Sequence, residues 1–138
     1  MRVVLDTNIY ISSFRSGGNP KLAFELAILG AYTLVVSEAI LTEIERVLRT
    51  KFGWPRSILG PALERIAARA ELVSPKVRVT DCVDPDDNRI LEAAVEGRAD
   101  CIVSGDKHLR RMKTFRGIDI STVSDFLIRL AAVASKRE

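Results

Sequence analysis

Asp6, Glu43, Asp87 and Asp106 are the residues whose type and placement could do chemistry. They are far apart in the chain, yet each follows or faces the end of a predicted strand. Asp6 ends the apolar run Arg2-Val3-Val4-Leu5, and Asp106 ends Cys101-Ile102-Val103-Ser104-Gly105. In an open α/β sheet, ligands bind outside the carboxyl ends of the strands, near the point where strand order reverses. Carboxylates gathered there repel one another unless a cation sits between them. Mg²⁺ and Mn²⁺ prefer carboxylate oxygen and water, so the pattern points to metal-assisted phosphodiester chemistry.

The elements that must position these acids alternate strand and helix, which predicts a mostly parallel sheet covered on both faces. Arg2 to Leu5 reads as a first strand, followed by a helix from Thr7 to about Phe14. Ser16 to Pro20 is a loop, with Pro20 at the first position of a helix that ends at Gly30. Tyr32 to Val36 is the second strand. Ser37 caps a helix whose apolar stripe is Ile40, Leu41, Ile44, Val47 and Leu48. Phe52-Gly53-Trp54-Pro55 ends it, and two shorter helices separated at Gly60-Pro61 are expected next. Val77 to Val79 is a candidate third strand. Asp84-Pro85 opens a helix to Gly97, Cys101 to Ser104 is a strand, Ile118 to Ile120 an edge strand, and Val123 to Ala134 the closing helix. On that last helix Phe126, Leu127 and Leu130 form a core stripe.

Helical phase separates some neighbouring acids. Asp87, Ile90, Leu91 and Ala94 share one face, so Asp87 is the acid turned toward the sheet. Asp86 and Asn88 lie to the sides, while Arg89, Glu92 and Glu96 point away. Simple helix chemistry explains Asp84 as an N-cap and Asp86 as an acid at the positive end of the dipole. It explains Asp87 less well, because a carboxylate on an apolar face is costly. Glu43 and Glu45 lie on opposite flanks of their helix, each about 100° from the apolar centre, so phase alone leaves both open. Asp6 and Asp106 also stand where an ordinary N-cap would. Asn8 and Ser104 add short polar side chains at the same edge.

The 138 residues are 47% hydrophobic and 28% charged, enough for one globular domain spanning 1–138. The longest apolar run, Leu26 to Val36, falls short of the roughly 20 residues a membrane helix needs, so no membrane association and a cytoplasmic location are expected. Cys82 and Cys101 lack ligand spacing and read as free core thiols. One histidine, His108, is too few for a zinc site or a histidine-based triad. A net charge of +3 merely permits nucleic-acid binding. More telling is the run of Lys107, Arg110, Arg111, Lys113 and Arg116 after Asp106, which reads either as a solvated face or as phosphate contacts.

Taken in order, Asp6-Thr7-Asn8, Glu43 within Ser37 to Glu43, Asp84-Pro85-Asp86-Asp87-Asn88 and Ser104-Gly105-Asp106-Lys107 resemble a PIN domain. The likeness extends over the chain and is nearest to the ribonuclease toxins of VapBC-like toxin–antitoxin pairs. It implies an α/β/α sandwich with a central parallel sheet and a metal-dependent endoribonuclease. It also implies an acidic site of Asp6, Glu43, Asp87 and Asp106 holding Mg²⁺ or Mn²⁺, which selects Glu43 over Glu45. Asn8 and Ser104 are the supporting residues; Lys107, Arg110, Arg111 and Lys113 are the expected RNA contacts. The expected partners are a single-stranded or structured RNA, a small antitoxin protein and a second copy of the chain. Where many relatives carry a further acid, this chain has His108, which implies one firmly held ion and another recruited with substrate.

Two other readings compete. One is phosphoryl transfer to an aspartate, as in receiver or haloacid-dehalogenase-like folds, but Asn8 stands where the latter place a second aspartate. The other is a catalytically silent RNA-binding or interaction module. Trp54 after Phe52 could then stack a base, although an aromatic at a helix junction more often packs the start of the next helix.

Overall fold

Val3, Val4 and Leu5 in β1 (Arg2–Leu5) and Cys101, Ile102 and Val103 in β4 (Cys101–Val103) are all fully buried. Successive strand residues point to opposite faces, so both faces of the sheet are covered here, as in an α/β/α sandwich. The computed structural model describes residues 1–137. Besides those two strands it contains α1 (Thr7–Arg15), α2 (Gly18–Ile28), β2 (Thr33–Ser37), α3 (Glu38–Phe52), α4 (Arg56–Arg69), β3 (Glu71–Val73) and α5 (Pro85–Glu96). The chain continues with α6 (Lys107–Met112), β5 (Thr114–Phe115), β6 (Ile118–Ser121) and α7 (Val123–Arg137).

Among the described residues the strands form one six-stranded sheet in the order β3-β2-β1-β4-β6-β5. Every pairing is parallel except β5 with β6. The chain builds outward from β1 to β2 and β3, then returns to place β4 on the other side of β1. The topological switch therefore lies between β1 and β4, which pair Val3 with Cys101, Val4 with Ile102 and Leu5 with Val103. Helix α5 packs across β1, β2 and β4. Gly97 ends it, and a Cβ there would collide with Val35, so glycine lets the helix terminus rest on β2.

Several local expectations change. The second strand runs Thr33–Ser37, one residue later than expected, and α2 starts at Gly18 rather than Pro20. A proline so early in a helix sacrifices no intrahelical bond, because the first four N–H groups lack partners anyway. Gly60-Pro61 does not divide two helices; α4 is continuous with Pro61 inside it. Gly60 has no Cβ to clash with the proline ring, which removes much of the usual penalty on the preceding residue.

Val77 to Val79 is not a strand; the third strand is β3, and residues 74–82 form an irregular strap. Nor is Ile118–Ser121 the edge. Phe115 and Ile118 are joined by Arg116-Gly117, both at positive φ (50° and 82°) as a two-residue type I′ hairpin requires, and the resulting β5 covers that side. Trp54 packs at the junction, half-buried with its ring 6.1 Å from that of Phe14. Phe126 is fully buried against Tyr32, and Leu130 is buried too. Both cysteines are free thiols. No helix among the described residues is long and apolar enough to cross a membrane.

Candidate active site

Asp6 is the first residue beyond β1, and its backbone N–H donates to the Val103 carbonyl at 2.8 Å, tying together the ends of the two switch-point strands. Only 5% exposed, its side chain does not cap α1. Instead Oδ2 accepts from Ser104 Oγ at 2.7 Å. Ser104, fully buried, also accepts from the Asp106 backbone N–H at 2.9 Å, so one hydroxyl links both acids of the switch point. Asp106 behaves differently from Asp6. Its Oδ1 caps α6, accepting from His108 N (2.8 Å) and Leu109 N (3.1 Å), and its other carboxylate oxygen has no hydrogen-bond partner among the described residues.

Asp87 enters from α5. It is 6% exposed, and its carboxylate has no hydrogen-bond partner among the described residues. Burial, followed by repulsion from Asp106, Asp6 and Asp84, pushes its pKa up to about 6, opposed only by His108. Burial likewise raises the Asp6 carboxyl, against the hydrogen bond from Ser104 and the Thr7 backbone N–H, with Asp106 and Asp84 adding repulsion.

Glu43 comes from α3, half-buried, with its pKa pushed up to about 7 by burial and by Asp86 and Asp6. Two neighbours oppose that rise: the Thr7 hydroxyl and Arg46. Thr7 Oγ1 is buried without a well-formed hydrogen bond, so it is close to the glutamate but not locked onto it. Arg46 itself pairs with Asp86 at 3.2 Å, latching α3 to α5. Glu45, which phase could not separate from Glu43, instead pairs with Arg49 at 2.7 Å. The three-dimensional packing thus distinguishes the two glutamates: Glu43 feels Asp6, and Glu45 belongs to a surface pair.

Other sequence-derived residues spread around this centre. Asn8 is exposed on the first turn of α1. Lys107, Arg110 and Arg111 line a shallow cavity of about 280 Å³ on α6, and Lys113 follows at positive φ. All four are exposed and form no ion pair among the described residues. Thr7, Asp81, Cys82, Val83 and Met112 were not foreseen. The last four line a cavity of about 470 Å³ with Asp84, Asp87 and His108. The strap residues among them have no periodic pattern to reveal them, whereas Thr7 could have been suspected from its place beside Asp6.

Among the described residues no three acid, histidine or cysteine side chains close around a point as a metal cage would. Mg²⁺ needs no such cage: it binds through one or two carboxylates and completes its octahedron with water and phosphate oxygens. The buried, unpartnered Asp87 and the raised Asp6 and Glu43 are what such an ion would relieve.

Comparisons with known proteins bear on the family and the fold. The profile of a family described as PIN domain matches residues 2–108, a span containing all four acids. An uncharacterized protein of Methanocaldococcus jannaschii is 30% identical over 115 residues, covering 79% of this chain and 73% of that protein. Among solved structures, a chain in the crystal structure of VapBC2 from Rickettsia felis, bound to a DNA fragment from its promoter, superposes with a TM-score of 0.61. The match covers 88% of this chain and 98% of that one at 16% identity, a likeness of fold.

Proposed function

The chain belongs to the PIN domain family, and on that premise we propose that it is a Mg²⁺- or Mn²⁺-dependent endoribonuclease acting in the cytoplasm as the toxin of a toxin–antitoxin pair. Residues 1–138 act as one unit in this reading. The observation that carries it is the set of acids Asp6, Asp87 and Glu43 around the β1/β4 switch point: burial and repulsion from neighbouring acids raise all three, and among the described residues no lysine or arginine forms an ion pair with any of them. Structural carboxylates are normally paired with a cation; carboxyls raised by burial and neighbouring acids are candidates for functional sites.

Asp6 and Asp106 are the ligands nearest the switch point, with Asp87 and Glu43 completing the acidic set. A bound divalent ion would supply charge neutralisation and Lewis acidity toward a phosphate oxygen. The chain's own groups do the remainder. Ser104 orients Asp6 through its 2.7 Å hydrogen bond and holds the Asp106 backbone at the same time. Glu43, poised near neutrality, is the proton acceptor. Lys107, Arg110, Arg111 and Lys113 hold flanking phosphates by charge, so the RNA strand runs along α6. Single-stranded or looped RNA suits such a site because its backbone can approach closely. The partner implied is a small antitoxin, together with a second copy of the chain.

The decisive experiment incubates RNA with the native chain, with and without Mn²⁺, beside Asp6→Asn and Asp106→Asn. Cleavage is expected only with Mn²⁺ and is lost in both variants while their circular dichroism is unchanged. Full activity in Asp6→Asn would overturn the assignment.

A further inference from the structure

The strap at residues 74–82 is the least regular wall of the acidic cavity, and its hydrogen bonding is unusual. It joins no strand ladder. Instead, three of its backbone N–H groups donate to side chains on one edge of α5: Lys76 to Glu96 Oε1 (2.9 Å), Val79 to Glu92 Oε2 (2.8 Å) and Cys82 to Asn88 Oδ1 (2.8 Å). Asn88, Glu92 and Glu96 recur at four-residue spacing, one turn apart, which sets them in a row along the helix. Glu92 and Glu96, expected to point away from the sheet, therefore meet the strap rather than open solvent. Glu92 is 5% exposed, turned from the sheet but into the strap.

The acceptors grow more constrained toward the acids. Glu96, at the far end, remains partly exposed. Glu92 is held by Arg89, whose Nη2 donates to Oε2 at 2.8 Å and also reaches the Val79 carbonyl at 3.3 Å. Arg89 Nε lies 2.8 Å from Oε1, but at an angle that makes this an ion contact rather than a hydrogen bond. Asn88, 5% exposed, grips one residue twice: its Oδ1 accepts from Cys82 N, and its Nδ2 donates to Cys82 O at 3.0 Å. Asn88 thus stands in for a neighbouring strand. Beyond Cys82 the chain goes directly through Val83 to Asp84, and Cys82 Sγ touches Met112 Sδ of α6 at 4.0 Å. The clamp consequently fixes the wall that faces His108 and Met112 across the cavity.

We propose that Asn88, supported by Glu92, is a positioning residue of the acidic site: its two-point grip on Cys82 presets the strap wall against α6, so that the cavity beside Asp87 is formed before any ion or RNA arrives. This rests on the nuclease reading above for its purpose, but the clamp itself does not. Outer groups that orient ligands commonly matter nearly as much as the ligands themselves.

The test separates the two. In the metal-free chain, Cys82 is partly exposed and its alkylation by iodoacetamide is expected to quicken as the strap opens, while Cys101 is fully buried and slow. Asn88→Ala should speed Cys82 alkylation about tenfold, as loss of two hydrogen bonds from a local opening equilibrium implies. In the same variant, Mn²⁺ affinity read by electron paramagnetic resonance should fall roughly tenfold or more. Glu96→Ala is the comparison: it frees the Lys76 amide to exchange but should leave both Cys82 alkylation and Mn²⁺ affinity within about twofold of native, because it acts two turns away. Unchanged alkylation in Asn88→Ala, or faster alkylation with undiminished Mn²⁺ affinity, overturns the positioning role alone. Failure of the native chain to bind Mn²⁺ overturns the nuclease reading and the positioning role together, while the alkylation arm still reports whether the clamp exists.

Discussion

The two ends of the sheet treat charge in opposite ways. At the amino ends of the strands, Arg2 is surrounded by acceptors: Nη1 lies 2.7 Å from Glu71 Oε2, Nε donates to the Gly97 carbonyl at 2.6 Å, and the backbone N–H donates to Asp100 Oδ2 at 2.8 Å. That hydrogen bond from Arg2 draws the Glu71 carboxyl below its ordinary range. At the carboxyl ends, Asp6, Asp87 and Glu43 are raised instead; Arg46 pairs with Asp86 and Arg89 with Glu92, and the exposed cations of α6 form no ion pair with the three acids among the described residues. One end is neutralised within the protein. The other keeps carboxyls raised by burial and by neighbouring acids, the condition that the proposed divalent ion would relieve.

The comparison breaks most sharply on α3, which carries one glutamate of each kind. Glu43→Gln should lower RNA cleavage on the order of 100-fold, whereas Glu45→Gln should stay within about twofold. Equal losses from the two substitutions, measured as kcat/KM in Mn²⁺, would show that the acidic centre does not reach α3. The double change Arg110→Ala with Arg111→Ala should weaken RNA binding roughly tenfold and reduce the slope of log K against log salt by about 1.4, about 0.7 for each phosphate of a single strand no longer neutralised. Filter binding at several salt concentrations reads this directly, and an unchanged slope would return α6 to being merely a solvated face.

Thermal melting gives a smaller but cleaner contrast. Asp87 and Glu43 have folded pKa values of about 6 and about 7, above the ordinary carboxylate range. Their contribution to stability is complete below about pH 4 and is lost as pH rises through about 6 to 7. The metal-free chain should therefore melt lower at pH 8 than at pH 5, and Asp87→Asn should flatten that decline. Mg²⁺ should raise Tm more at pH 8 than at pH 5, because it binds the ionised carboxylates. A Tm indifferent to pH between 5 and 8 would remove the electrostatic basis of the site. The smallest effect belongs to the opposite end. Glu71 has a lowered pKa, so its contribution is present above the ordinary carboxylate range and lost in acid. Glu71→Gln should lower Tm slightly near neutral pH, not at pH 3, and leave cleavage intact.

Much of this contrast could be read from residue order. The apolar run before Asp6, the cap and phase of α5 and the turn signals around Gly53 are local properties, so β1, Asp87 facing the sheet and the end of α3 follow from them. The hairpin at Arg116-Gly117, the continuity of α4 through Pro61 and the strap at 74–82 did not. The strap depends on a row of side chains on another helix, whereas the hairpin and the continuity of α4 rest on local features, a two-residue turn and the glycine before Pro61, whose effect the turn and breaker signals alone did not reveal.

By itself, then, the sequence determined which acids could leave strand ends and which helix faces are apolar, because both are set by short-range steric rules with periods of two and 3.6 residues. Tertiary structure alone decided which carboxylates share a field. Asp6 turned out to be held by Ser104 rather than to cap α1, and Glu43 to feel Asp6 while Glu45 pairs with Arg49. Coulomb energy depends on distance through space and on burial, neither of which is a function of separation along the chain.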